Sequence, residues 1–315
     1  MLAVTPNASS FTVLLPNEPA TRRLAVDIAS ILKPGDLVTL SGDLGAGKTA
    51  FARALIRHLA GDDTLDVPSP TFTLVQTYAL PRLAVVHADL YRVGHPGELA
   101  ELGVDDDAAN SIVLLEWPDR AGDVLPPDRL DIALTLVAHG GPNQRHAELT
   151  GYGSFAARLE RLAIIRQFLA DEGLGDAPRE HVQGDASTRS YERITHEGRK
   201  FVLMNAPRRP DGPPVRGGRP YSAIAHLAED VQPFVAMSRA LRDRGVSAPH
   251  VYAANLADGL LLLEDLGAEA VVAGDPPAPI EERYAAAADV LVALHTQQLP
   301  DTLNVAPSLD YRLPL

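Results

Sequence analysis

Gly42-Asp43-Leu44-Gly45-Ala46-Gly47-Lys48-Thr49 fits the pattern G-x-x-x-x-G-K-[ST] without a mismatch, and it decides how the first half of the chain folds. Phosphate oxygens need several converging donors. A glycine-rich turn lets backbone N–H groups point inward, and the helix after it adds its positive N-terminal end. Lys48 reaches β- and γ-phosphates, and the Thr49 hydroxyl is placed for Mg²⁺. The expected cradle runs from Gly42 through Asp43, Leu44, Gly45, Ala46, Gly47, Lys48 and Thr49 to Ala50. A chance match in a chain of this length is on the order of one in a hundred. The flanks agree with the mechanism: the apolar run 37–40 predicts a strand before the loop, and 48–59 predicts a helix after it. The expected cofactors are ATP and Mg²⁺.

Outward from the loop, residues 11–15 read as a strand. Asn17 is a candidate N-cap with Pro19 in the first turn, and Leu24, Ile28, Ile31 and Leu32 lie on one helical face. The short runs 83–87 and 112–115 are strands of the buried type, each followed by an acid, Asp89 and Glu116. Such runs alternating with helices predict a mainly parallel α/β sheet. Residues 131–137 and 145–150 flank a turn and predict a closing hairpin. A phosphate loop of this kind needs an acid at a neighbouring strand end to organise magnesium and water. Asp89 and Glu116 are the two candidates, and each could equally be a solvated strand-end acid. His87 and Tyr91 read as packing residues. So does Trp117, with a ring near the nucleotide as its second reading.

The 315 residues imply about two domains. The 46% hydrophobic and 22% charged fractions exclude a disordered or fibrous chain. The net charge of −13 comes with no basic excess in either half, so a phosphate backbone would have to be held by a partner. There is no cysteine, which excludes disulfides and thiolate chemistry. The N-terminus lacks a basic, apolar leader, and no window is long and apolar enough to span a membrane. A cytoplasmic location is expected. The chain holds only three lysines, Lys33, Lys48 and Lys200.

A domain boundary is expected at 153/154, with a helix from Ser154 to about Leu169 opening the second domain. There, 189–194 and 200–204 read as strands, 206–220 as a loop and 222–243 as one helix. The runs 250–253 and 260–264 read as a strand pair, 274–280 as a proline-rich turn, 285–294 as a helix, and the tail from Leu299 as loop.

GDLGAGKT at 42–49, SPTFTLV at 69–75, HADLYR at 87–92 and LLEWPDR at 114–120 occur together in this order. Over residues 10–153 the chain resembles the TsaE family, the small bacterial ATPases of tRNA threonylcarbamoyladenosine biosynthesis. The resemblance implies that Lys48 and Thr49 bind phosphate and Mg²⁺. It also implies that Glu116 lies at the metal and that Asp89 supports metal binding or water activation. Ser69 to Thr71 would form a switch-like loop. The implied partners are TsaB/TsaD-type subunits, which would hold the tRNA.

GDASTRSY at 184–191, RKFVLMNAP at 199–207 and LLLLEDLG at 260–267 resemble the N-terminal lobe of aminoglycoside-phosphotransferase-like kinases, closest to the cell-wall amino sugar kinases. By that resemblance, 184–191 would lie over the phosphates and Leu263 to Gly267 beside adenine. The departures are specific. The strand lysine falls near Met204, with Lys200 four residues early. The pattern H-[GR]-D-x₄-N is missing, since His295 is followed by Thr296-Gln297-Gln298. The expected architecture is therefore an α/β P-loop NTPase domain followed by a kinase-like α+β N-lobe with an incomplete C-lobe. Either the natural protein is longer, or the second half is a degenerate appendage. Three functions fit: an ATPase within a tRNA-modifying assembly, an amino sugar phosphotransferase, or a nucleotide-gated docking module.

Overall fold

The computed structural model describes residues 8–80, 83–95, 108–138, 141–182, 189–208, 212–225, 228, 230–298, 302–306 and 309–312. The chain divides into two compact units, 1–176 and 177–315.

In the first unit, β1 (Ala8–Leu15) leads through the Asn17 cap into α1 (Glu18–Ile31). The Asn17 side chain accepts the Ala20 N–H at 3.0 Å, which satisfies one otherwise unpaired donor of the first turn. Then follow β2 (Leu37–Ser41), α2 (Lys48–Ala60), β3 (Val75–Ala79), β4 (Ala84–Asp89), β5 (Ser111–Glu116), β6 (Leu130–Leu136) and β7 (Arg145–Tyr152). They form one sheet in the order β1-β7-β6-β2-β5-β4-β3. The four central strands β6, β2, β5 and β4 are parallel, and antiparallel strands flank them on both sides. The central strands read as unbroken apolar runs because both faces are covered: all six residues of β5 are buried. β3 had no expected strand signal. It pairs antiparallel with β4 as an edge strand, and only Tyr78 in it is buried.

Helix α3 (Ser154–Asp171) falls in the first unit, on the other side of the expected boundary. It packs on β1 and β7 and buries Phe155, Ala156, Leu159, Leu162, Ile165, Phe168 and Leu169. Each large apolar side chain contributes about 1.5–3 kcal/mol on burial. The helix ends in a left-handed Gly173. The Leu174 N–H bonds the Leu169 carbonyl at 2.7 Å, and the Gly173 N–H bonds Ala170 at 3.0 Å. This closes the last turn and seats Leu174 in the interior. Arg158 clamps Asp36 with two bonds of 2.6 and 2.9 Å and donates to the Ile31 carbonyl at 2.9 Å. Arg166 donates to the buried Asp27 of α1.

In the second unit, β8 (Arg179–Val182), β9 (Ser190–His196), β10 (Arg199–Asn205), β13 (Val251–Asn255) and β14 (Leu260–Glu264) form an antiparallel sheet in the order β13-β14-β10-β9-β8. A small ribbon, β11 (Pro214–Arg216) and β12 (Arg219–Pro220), lies between β10 and β13 in the chain. The single helix expected at 222–243 is two, α4 (Tyr221–Ile224) and α5 (Gln232–Arg242), the second with Pro233 in its first turn. Val235 and Ala236 of α5 pack with Met204, Leu261 and Leu263. Residues 302–306 and 309–312 pair as strands where a loop was expected. Helix α6 (Glu281–His295) has no buried residue, and Tyr284, Val290, Leu291 and Val292 on it are exposed.

Trp117 is the single tryptophan and lies in the first unit, so its emission follows the unfolding of that unit. Arg158→Ala removes one partner of an ion pair whose side chains are only 15% and 11% exposed. The expected loss is about 3 kcal/mol, the low end for breaking a buried pair. Urea unfolding followed by Trp117 emission measures it, and an unchanged midpoint would show that α3 is not bolted to this unit.

Candidate functional site

β2, β5 and β4 end abreast. Leu40 pairs with Glu116, and Glu116 pairs with Asp89. The site thus lies at the C-terminal edge of the parallel strands, where open α/β sheets bind ligands. The loop 42–47 leaves β2 and enters α2 at Lys48. Gly42 (φ +131°) crosses so close to β6 that a Cβ would sit 2.2 Å from the Leu134 carbonyl oxygen. Gly45 and Gly47 also have positive φ. Two carbonyls of the loop are held from outside by Arg145 of β7, with Nε to Ala46 at 2.8 Å and Nη2 to Gly45 at 3.4 Å.

Lys48 is 5% exposed. Its Nζ donates to the carbonyls of Gly42 at 2.7 Å and Asp43 at 2.9 Å and lies 3.6 Å from the centre of the Trp117 ring. Burial pushes the ammonium below the usual lysine range, and the nearby Glu116, Asp89 and Asp43 oppose that shift. Trp117 is held in a left-handed conformation (φ 61°) with its N–H on the Leu40 carbonyl at 3.1 Å. Its ring also meets Tyr91 at 5.1 Å between centroids. Both rings therefore belong to the wall of the site, and Trp117 packs against the ammonium of Lys48.

Glu116 is 1% exposed and held at both oxygens. Oε2 accepts the Thr49 hydroxyl at 3.0 Å, and Oε1 meets Nε2 of His87 at 2.9 Å. Asp89 is 3% exposed. Its Oδ2 accepts the hydroxyls of Thr71 at 2.9 Å and Ser69 at 3.2 Å, and its Oδ1 accepts the Tyr91 N–H at 2.9 Å. The structure brings Lys48, Thr49, Ser69, Thr71, Asp89 and Glu116 together around a cleft of about 270 Å³.

Among the described residues, no cluster of three or more His, Asp or Glu side chains is arranged to hold a metal ion. Mg²⁺ does not need one. It is usually held by one or two protein groups together with phosphates and waters. The Thr49 hydroxyl and the Glu116 carboxylate form an all-oxygen donor pair of that kind. Two buried carboxylates against one ammonium also leave excess negative charge, which a dication would offset.

On the outer side of the loop lies a second cavity of about 320 Å³. Its lining includes Glu18, Thr21, Ala46, Gly47, Asn143 and Arg145. Neither this cavity nor Arg145 was legible in the sequence. Both depend on β7 lying beside β6, and a lone arginine at the start of a strand gives no local signal.

Residues 15–145 match the family model described as "Threonylcarbamoyl adenosine biosynthesis protein TsaE", and residues 179–314 match "Phosphotransferase enzyme family". The chain is 41% identical over 125 residues to the tRNA threonylcarbamoyladenosine biosynthesis protein TsaE of Rickettsia felis, a stretch that spans 40% of this chain and 72% of that protein. It is 35% identical over 139 residues to the TsaE of Bacillus subtilis, over 44% of this chain and 84% of that protein. It is also 41% identical over 158 residues to the N-acetylmuramate/N-acetylglucosamine kinase of Caulobacter vibrioides. That match spans 46% of this chain and 43% of the kinase. Four motifs in order, a phosphate loop on a parallel sheet and relatives covered over most of their length converge: through its first unit, the chain belongs to the TsaE family of threonylcarbamoyl adenosine biosynthesis proteins.

Proposed function

We propose that the first unit binds and hydrolyses Mg-ATP as the ATPase subunit of the machinery that makes N6-threonylcarbamoyladenosine at position 37 of tRNA. One observation carries this reading: the Thr49 hydroxyl, Glu116 and Asp89 converge at the mouth of a loop whose lysine is already buried. Lys48 exchanges its bonds to the Gly42 and Asp43 carbonyls for phosphate oxygens. The backbone N–H groups from Gly45 to Ala50 hold the phosphates at the start of α2. The outer cavity takes the nucleoside, with Glu18, Thr21 and Asn143 as its polar contacts. The Thr49 hydroxyl and the Glu116 carboxylate would hold Mg²⁺, which would supply positive charge against that of the phosphates. Asp89 orients the attacking water, and Ser69 and Thr71 fix its carboxylate for that task.

The net charge of −13 favours an arrangement in which TsaB/TsaD-type partner subunits hold the tRNA. The unit then acts without touching a membrane, in the cytoplasm.

A second reading assigns amino sugar phosphorylation to the second unit, on its match to the kinase of Caulobacter vibrioides. As the sequence stands, we expect no transfer from it. Met204, at the position of the strand lysine, is fully buried among apolar side chains. The sequence also lacks an aspartate-bearing catalytic loop. Of the segment read as lying over the phosphates, 184–188 fall outside the described residues. Incubation with ATP, Mg²⁺ and N-acetylmuramate tests this, and a sugar phosphate above background would establish the kinase reading.

Lys48→Ala removes a charge-assisted contact of about 1.5–3 kcal/mol. That corresponds to a roughly ten- to hundredfold rise in the Kd of Mg-ATP. Calorimetry measures it, and unchanged affinity together with unchanged turnover would reject the loop as the nucleotide site.

Glu116→Gln and Asp89→Asn keep shape and remove charge. With partner proteins present, turnover is expected to fall about a hundredfold or more for Asp89→Asn, the scale of a lost group that handles the reacting water, and to fall for Glu116→Gln as well, with ATP binding largely kept. Rates equal to those of the parent chain would return both acids to a structural role.

A further inference from the structure

His87 is the least expected group at the site. In the sequence alone it reads as a packing residue, yet it is fully buried on β4 with its ring against a carboxylate. In the parallel register His87 pairs with Leu114, two residues before Glu116, so His87 and Glu116 lie diagonally on the same face of the sheet. Nε2 meets Glu116 Oε1 at 2.9 Å, whereas buried Nδ1 has no hydrogen-bond partner.

This asymmetry fixes the tautomer. A proton on Nδ1 would be a buried donor without an acceptor, which costs about 1–3 kcal/mol. It would also turn a lone pair on Nε2 toward a carboxylate oxygen. With the proton on Nε2, the imidazole donates to Glu116 and only the Nδ1 lone pair is left unpaired, with no lone pair facing the carboxylate. The ring therefore acts as a fixed donor behind the carboxylate.

The consequence follows from what Glu116 does with its other oxygen. Oε2 faces Thr49, the second group of the metal-binding pair. A glutamate side chain has three rotatable bonds, and a single contact at Oε2 leaves rotation about the last of them open. The bond at Oε1 removes that freedom. We propose that His87 is a positioning residue that holds Glu116 from behind and keeps Oε2 aimed at the magnesium position. The proposal rests on the reading of Thr49 and Glu116 as the groups that hold Mg²⁺. Hydrogen-bond partners behind metal ligands commonly change metal affinity 10- to 100-fold when removed.

The experiment is a calorimetric titration of Mn²⁺, as the probe ion, into the full chain loaded with ADP. His87→Gln places an amide N–H near the position of Nε2. His87→Met has nearly the same shape without a donor, and His87→Leu is a second donorless variant in case one of the two packs poorly. Urea unfolding followed by Trp117 emission confirms that each variant folds. The expected result is an ion Kd raised 10- to 100-fold in the Met and Leu variants and restored to within about threefold of the parent in the Gln variant. Affinity for ADP without the ion should be unchanged in all three.

Glu116→Gln is the control for the underlying reading. If it weakens Mn²⁺ binding but His87→Met and His87→Leu do not, the positioning role is wrong and the metal assignment survives. If Glu116→Gln leaves Mn²⁺ binding intact, both are wrong. A Gln variant as weak as the donorless ones would show that His87 acts by shape alone, which also overturns the proposal.

Discussion

The parallel register of β2, β5 and β4 is the constraint on which the rest of the first unit depends. A shift of one residue would turn every side chain of β5 to the opposite face of the sheet. Glu116 would then leave Thr49 and His87 together, and Asp89 would lose its neighbour. A slip of β5 would have to break its ladders to β2 and to β4 together. The pairing that stabilises the sheet also determines where the carboxylates lie. At this edge, stability and site geometry are one property.

Charge sets the second level of organisation. The cleft gathers two buried carboxylates and one buried ammonium, and every one of these groups is already bonded within the protein. Lys48 is tied to the loop it must serve, Glu116 to Thr49 and His87, and Asp89 to two hydroxyls and a backbone N–H. The site is thus ordered before a ligand arrives. Binding becomes an exchange of partners, which limits the entropy cost of association.

Features of the site that depend on neighbours in the chain were legible in the sequence. The phosphate loop is one contiguous octapeptide, and Asp89 and Glu116 each follow an apolar run that could be read alone. The Asn17 cap was legible for the same reason. What escaped depends on contacts between distant segments. Arg145 reaches Ala46 across 99 positions, and His87 reaches Glu116 across 29. β3 lacked a signal because an edge strand with one buried residue carries little apolar pattern. Helix α3 was recognised as a helix, but its periodicity could not say which sheet it covers. In the second unit, 222–243 has helical composition throughout, and the break before α5 left no strong mark beyond Pro233.

The placement of α3 has a consequence for proteolysis. The turn at Gly173 and the inward Leu174 finish the first core only after the helix has ended. A cut between Tyr152 and Asp171 would free a strip of apolar side chains from β1 and β7, and both pieces would tend to aggregate. A cut after Asp176 severs no hydrogen bond of the helix terminus and leaves the Arg158–Asp36 clamp intact. Limited digestion that separates two soluble fragments should therefore act after Asp176, well after the point where the family's sequence motifs have ended.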